Sequence, residues 1–362
     1  MFKLIAVLSC LILCSCGKKK IETPSLPYVT VSKVDVKDMP LYLEYVGHVE
    51  ANQIVNLKAQ VAGMLNGQYF IEGQAVKAGD LLLTIDDRPF LASLAQAEGD
   101  LSQNVAKLKQ AEDTRDRYAQ LIQDNFISQL DYDQFVTNVY SLEGAVQQSY
   151  ASVATAKINL GYCTIASPID GVTSKLLINV GNYIPVGGQA LLTLNQIMPI
   201  KVQFNVPEKD LPRIAAANLK EPLKVIAFVQ GQPVEGQLSL IDNQVDINTG
   251  TLLIEAMFPN DDEQLWPGQF VDVRLILDIK KNAITVPTQA VFVGQDGFYV
   301  YVVKSSSLNN DEVELRQVIL SQREDKEILI EKGLNPNEVV VLDGQINLKP
   351  GTQVTIQPQK NE

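Results

Sequence analysis

The chain of 362 residues carries one histidine, His48, and four cysteines, Cys10, Cys14, Cys16 and Cys163. That is a thin inventory for acid–base or metal chemistry. His48 lies in an alternating polar–apolar stretch and reads as a sheet-surface or interface residue rather than a base. There is no HExxH, no CxxC and no phosphate-cradling glycine loop. Asp86-Asp87 stands just before a helical pattern and reads as a turn and helix cap, and Asp261-Asp262-Glu263 as a solvated loop between strands. The expectation is a non-enzyme with no catalytic residue, cofactor or metal ligand.

The one covalent modification the residues point to is lipidation. Lys3 is followed by an apolar run, Leu4 to Leu13, too short to span a bilayer as a mature helix. It ends in Leu13-Cys14-Ser15-Cys16, an aliphatic residue, small residues and then a cysteine, which resembles a bacterial lipobox. Cys10, after Val7-Leu8-Ser9, is an alternative acceptor, and plain signal cleavage with an incidental cysteine is another. Cys16 is favoured because Gly17-Lys18-Lys19-Lys20 and a proline-containing linker follow it directly. Residues 1–15 are then the signal and 16–27 a lipidated tether. Several acyl chains on Cys16 would hold the protein on a membrane without spanning it. Loss of Lys3 takes the net charge from −12 to 29 − 42 = −13, which argues against nucleic acid as a partner. Cys163 remains without a partner, so no intramolecular disulfide is expected.

Residues 88–161 must form the most extended element. Positions 132, 135, 139, 142, 146, 149, 153, 156 and 160 hold Tyr, Phe, Val, Leu, Val, Ser, Val, Ala and Leu. Upstream, Leu94, Ala97, Leu101, Asn104, Leu108, Ala111, Arg115 and Tyr118 follow the same 3-4 spacing with two polar intruders. Alternation held this long predicts two helices of an antiparallel coiled-coil hairpin. Pro89 suits a first turn, Asp124-Asn125 the reversal and Gly161 a C-terminal cap. Gly99 and Gly144 count against it, at about 1 kcal/mol each in a helix interior. Arms of about 33 residues reach about 50 Å, too long to fold into a compact domain.

The hairpin interrupts an internal repeat. Val61, Gly63, Gly73, Val76 and Gly79 match Ile169, Gly171, Gly181, Ile184 and Gly187 at one offset of 108 (171 − 63). Glycines between short apolar strands predict turns needing positive φ. Neither copy can bury its inner face alone, so the two must pack together. The pattern resembles the lipoyl/biotinyl-type flattened barrel. In carriers of that fold a modified lysine occupies the turn joining the halves. Here Thr84-Ile85-Asp86-Asp87-Arg88-Pro89 holds no lysine and leads into the helices, which disfavours a carrier.

Downstream, alternating strands from Met198 to Leu277, with a short helix near Pro207–Leu211, predict a small antiparallel β-barrel. Ala283 to Gln357 forms a last β-domain, which the early strand from Tyr28 is expected to join. The fold expected is elongated and multidomain, mainly β with an α-helical hairpin. Its parts are a membrane-proximal β-domain (28–38 with 282–357), a β-barrel domain (39–52 with 197–281), a split lipoyl-like domain (53–87 with 162–196) and the hairpin (88–161). Because the halves pair, the chain runs out and back, with the hairpin tip far from both termini.

Taken in this order, the split repeat, the hairpin, Phe204-Asn205-Val206-Pro207-Glu208 with Asp210-Leu211, Thr249-Gly250-Thr251, Leu265-Trp266-Pro267-Gly268 and Val286-Pro287 resemble a known family. It is that of periplasmic adaptors (membrane fusion proteins) of tripartite efflux pumps, most like those serving RND-type transporters. The family's hairpin tip carries Arg, Leu four residues on and Ser seven beyond; Arg117, Leu121 and Ser128 match. The resemblance implies that these three dock onto a TolC-type outer-membrane channel, and that a ring, of six copies, forms a sealed duct over an inner-membrane RND-type transporter. It also implies a lipid anchor in the inner membrane and drugs or other amphiphiles as cargo. Each tip residue has a plainer reading as well. Arg117 would serve as a solvated helix residue, Leu121 as seam packing, and Ser128 as the first residue of a capping box, Ser128-Gln-Leu-Asp131. Service to an ABC-type exporter and a non-transport structural lipoprotein are the alternatives.

Overall fold

The computed structural model describes residues 26–304 and 311–357. The proposed signal, Cys16 and the tether up to residue 25 lie outside the described residues. The described residues form two compact units, residues 44–275 and residues 26–43 with 276–304 and 311–357.

In the larger unit the repeat is a pair of interlocked half-barrels. Gly63 pairs with Ile184 and Val76 with Gly171. Gly171 is the counterpart of Gly63 (63 + 108) and Val76 that of Ile184 (184 − 108), so the second pair is the first with the copies exchanged, and a pseudo-two-fold axis relates them. The backbone hydrogen bonds obey it. Leu65 N–H donates to Asn182 O (2.9 Å), as Thr173 N–H does to Gln74 O (3.0 Å). Gly181 N–H donates to Leu65 O and Gly73 N–H to Thr173 O; Gly79 N–H donates to Ser167 O and Gly187 N–H to Ala59 O. The shared core includes Leu65, Leu82, Leu83, Ile85, Ile184, Leu191, Leu192 and Leu194.

The glycines divide into two kinds. Gly73, Gly79, Gly181 and Gly187 have φ of +80°, +93°, +90° and +64°, as turns require. Gly63 and Gly171 do not occupy turns, contrary to the sequence expectation. They lie in the strands Gly63–Gln68 and Gly171–Thr173. A Cβ would lie 2.5 Å from Ile85 Cγ2 at the first and 2.7 Å from Asn195 O at the second, so close approach is what excludes a side chain there.

Helix α1 (Arg88–Gln123) and helix α2 (Gln129–Gly161) leave this core where the lipoyl turn would be. Every seam position named from the sequence is buried or half-buried, and Val139, Val146, Ser149, Val153 and Ala156 are buried. Tyr118 stacks on Phe135 at 4.3 Å. Two of the three polar seam residues find each other: Asn104 Nδ2 donates to Ser149 Oγ at 2.9 Å, and Ser149 Oγ donates to Ala145 O. Such a pair is satisfied in one register only, which fixes how the helices align. Two terminal expectations are corrected. Gly161 is the last helical residue and Tyr162, with φ −70°, is the cap, so no left-handed glycine ends α2. Asp87 stands at the N-cap of α1 without a side-chain cap bond; Asp86 instead accepts from Arg88 Nε and Nη2 at 2.9 and 2.7 Å.

The strand Leu192–Pro207 continues from the second half-repeat into a barrel. Beside it, in sheet order, come Thr251–Phe258, Gln232–Asp246, Lys224–Val229 and Phe270–Pro287, and Asp35–Leu57 pairs with both edges to close six strands. Alternation drives it: Thr251–Phe258 buries every second residue, Leu252, Ile254, Ala256 and Phe258. Gly47 permits closure, since a Cβ there would lie 2.7 Å from Val273 Cγ2. Helix α3 (Leu211–Asn218) buries Ile214.

In the smaller unit Tyr28–Lys33 pairs antiparallel with Val339–Asp343 and parallel with Gln353–Gln357. Asp311–Glu324 and Gly297–Lys304 complete a closed five-stranded ring. Val29, Tyr301, Val313, Val341 and Val354 fill it, and Tyr301 OH donates to Leu348 O at 2.9 Å.

The contrast among glycines has a measurable consequence. Gly99 and Gly144 face open space on the helices, so Gly99→Ala and Gly144→Ala should each stabilise the hairpin by up to about 1 kcal/mol. Gly171→Ala should destabilise by about 1–3 kcal/mol, because the clash is with backbone. Urea unfolding of the three variants checks both signs.

Candidate functional site

The hairpin tip is built by a specific helix ending. Phe126 N–H donates to Leu121 O (3.0 Å) and Asn125 N–H to Ile122 O (3.1 Å), with Asn125 left-handed at φ +57°. This is the paired 6→1 and 5→2 bonding of a Schellman ending, with asparagine in place of the usual glycine. Ser128 then opens α2. Its Oγ accepts from Asp131 N–H (3.2 Å) and donates to Asp131 Oδ2 (2.7 Å). The cap is therefore present; in place of the reciprocal bond to backbone, the hydroxyl reaches the carboxylate.

The three residues singled out from the sequence all lie in this region, in different circumstances. Arg117 and Leu121 are four apart on α1 and share a face. Arg117 is exposed; its Nε donates to Asp113 O at 3.1 Å, and among the described residues no carboxylate pairs with it. Its Nη groups can therefore serve a partner's acceptors. Leu121 is 38% exposed, more than seam packing alone would leave. Ser128 is the most committed, with its hydroxyl engaged to its own helix.

Two apolar residues at the tip were not singled out from the sequence. Phe126 is 75% exposed and Leu130 is 71% exposed. The signal available was their position: an aromatic inside the reversal and a leucine in the first turn of α2, both off the 3-4 seam. Around them the carboxylates are mostly engaged locally. Arg115 pairs with Asp116 at 2.7 Å, and Gln129 Nε2 donates to Asp133.

Elsewhere the titratable groups are structural. Burial in the lipoyl-like core pushes the Cys163 thiol up, so it is a poor nucleophile. Arg88 holds the half-buried Asp86 carboxyl below the usual carboxylate range. His48 packs its ring 5.1 Å from Phe270. Among the described residues no group of His, Cys, Asp and Glu could hold a metal ion.

Comparisons with known proteins agree with this architecture. Three family models match in succession: "RND MFP, alpha-helical hairpin domain" over residues 93–163, "RND MFPs, beta-barrel domain" over 199–279, and "RND MFPs, C-terminal permuted SH3 domain" over 282–346. The chain is 36% identical over 338 residues to multidrug resistance protein MdtA of Proteus mirabilis, covering 92% of this chain and 81% of that one. It is also 36% identical over 347 residues to MdtA of Pectobacterium atrosepticum, covering 94% and 84%. In fold it is similar to MacA from Actinobacillus actinomycetemcomitans, with a TM-score of 0.62 at 20% identity over 86% of this chain and 99% of that one. With hairpin, barrel and C-terminal domain matched in order, the chain belongs to the membrane fusion proteins, the adaptors of RND-type tripartite efflux pumps.

Proposed function

We propose that this adaptor links an inner-membrane RND-type transporter to a TolC-type outer-membrane channel, and that it meets the channel through Arg117, Leu121 and Ser128. The observation that carries the reading is the exposed guanidinium of Arg117, with no carboxylate paired to it among the described residues, one turn from a part-exposed Leu121, on a hairpin that departs from a lipoyl-like core. The adaptor performs no chemistry. It acts in the periplasm, where its hairpins and lipoyl-like domains line a duct for amphiphilic drugs as one ring of six copies. Its β-barrel and C-terminal domains serve the transporter side. Among the described residues no helix is long and apolar enough to cross a membrane. Attachment to the inner membrane is through lipid on Cys16, a reading supported by the lipobox-like Leu13-Cys14-Ser15-Cys16. The relatives' name, multidrug resistance protein, supports drugs as the cargo.

The roles separate by substitution. Arg117→Asp should reduce drug resistance to that of a gene-deletion strain while the protein still folds and reaches the membrane. Ser128→Ala should act mainly through the cap, costing about 0.5–2 kcal/mol of α2 stability with partial loss of resistance. Growth in dyes, detergents and antibiotics, alongside cellular protein levels, measures both. Deletion of the gene with no change in sensitivity or export would sink the efflux reading itself, and full resistance in Arg117→Asp would sink the docking role.

A further inference from the structure

We propose that Phe126, seconded by Leu130, is the apolar anchor of the hairpin tip, inserting between helix ends of the outer-membrane channel. The inference rests on the docking reading above and adds to it the residues and the chemistry of the partner surface. Phe126 is three-quarters exposed, yet its backbone is not loose. Its N–H is held by Leu121 O, and the preceding Asn125 is fixed in the left-handed region. A large aromatic held rigidly in water gains little by staying there. Rigid presentation lowers the entropy lost on docking, the condition under which an aromatic becomes an interface hot spot. Leu121 and Leu130, on the two sides of the reversal, extend the apolar surface to both helices.

The surroundings select among occupants. Between residues 113 and 133 the tip carries Asp113, Asp116, Asp124, Asp131 and Asp133 against Arg115 and Arg117, a local balance of 2 − 5 = −3. An anionic lipid surface is repelled by that balance, and burial of Asp124 beside Phe126 in hydrocarbon is costly. A protein surface made of helix ends meets both features. Carbonyls at helix C-termini accept from the Nη groups of Arg117, and the groove between two helices takes the aromatic ring. Arg117 then supplies orientation and Phe126 supplies most of the affinity.

The experiment uses the full-length adaptor in cells lacking the native copy, with a photo-reactive phenylalanine analogue at position 126 and, separately, Phe126→Tyr, Phe126→Ala and Phe126→Glu. The expected result is a cross-link to helix-end peptides of the outer-membrane channel. Phe126→Tyr should keep resistance, and Phe126→Ala should weaken channel binding on the order of 30-fold (about 2 kcal/mol). Phe126→Glu should be inactive at normal protein levels. Wild-type resistance in Phe126→Glu, with Arg117→Asp inactive, would overturn the anchor while leaving the docking reading intact. Wild-type resistance in both would overturn both. Cross-linking to lipid alone would replace the channel by the membrane and contradict the proposal.

Discussion

Pairing of the two half-repeats is the constraint on which the larger unit depends. Val76 with Gly171 and Gly63 with Ile184 are one contact made twice about a pseudo-two-fold axis. Neither half has a closed core alone, so residues about a hundred apart in sequence must meet before either is stable. That meeting brings Ile85 beside Cys163, whose carbonyl accepts the Ile85 N–H at 2.8 Å, and so sets the feet of both helices together. The hairpin therefore emerges from a clamped base. Close approach at Gly171, where a Cβ would strike Asn195 O, is the steric condition for the clamp.

From that base, order along the hairpin is maintained by different means at different levels. Near the middle, Asn104 and Ser149 choose the register; nearer the tip, Tyr118 stacks on Phe135. At the end, the Schellman bonds and the Ser128 cap fix a short reversal. A tip held this way can transmit force between a pump and a channel without chemistry of its own, in keeping with an adaptor.

Much of this was legible in the sequence because periodicity is a direct consequence of burial. The 3-4 seam survives at all its positions, and the offset of 108 marks two copies that pack together. What the sequence left hidden has definite physical causes. Asn104 and Ser149 look like separate faults until the register of the two helices is known. Gly63 and Gly171 are indistinguishable in sequence from turn glycines, since a missing Cβ serves close approach as well as positive φ. Gly161 fell within the last helical turn because no left-handed ending was needed there. Phe126 is indistinguishable in sequence from an apolar residue packed beside the seam, and its exposure follows from the geometry of the turn. The spacing of Arg117, Leu121 and Ser128 is visible in the sequence, as is the Ser128–Asp131 cap, but not that the Ser128 hydroxyl also donates to the Asp131 carboxylate.

The central claim is that one chain bridges two partners through separable parts, with the hairpin serving the channel alone. Because the helices stand where a lipoyl turn would be, replacing residues 88–161 by a short turn should leave the half-repeats able to pair. The direct measurement is affinity purification, after in-cell cross-linking, of tagged full-length and hairpin-less adaptors. The account predicts that the transporter co-purifies with both forms and the outer-membrane channel only with the full-length chain. Equal recovery of the channel by the hairpin-less form would contradict it.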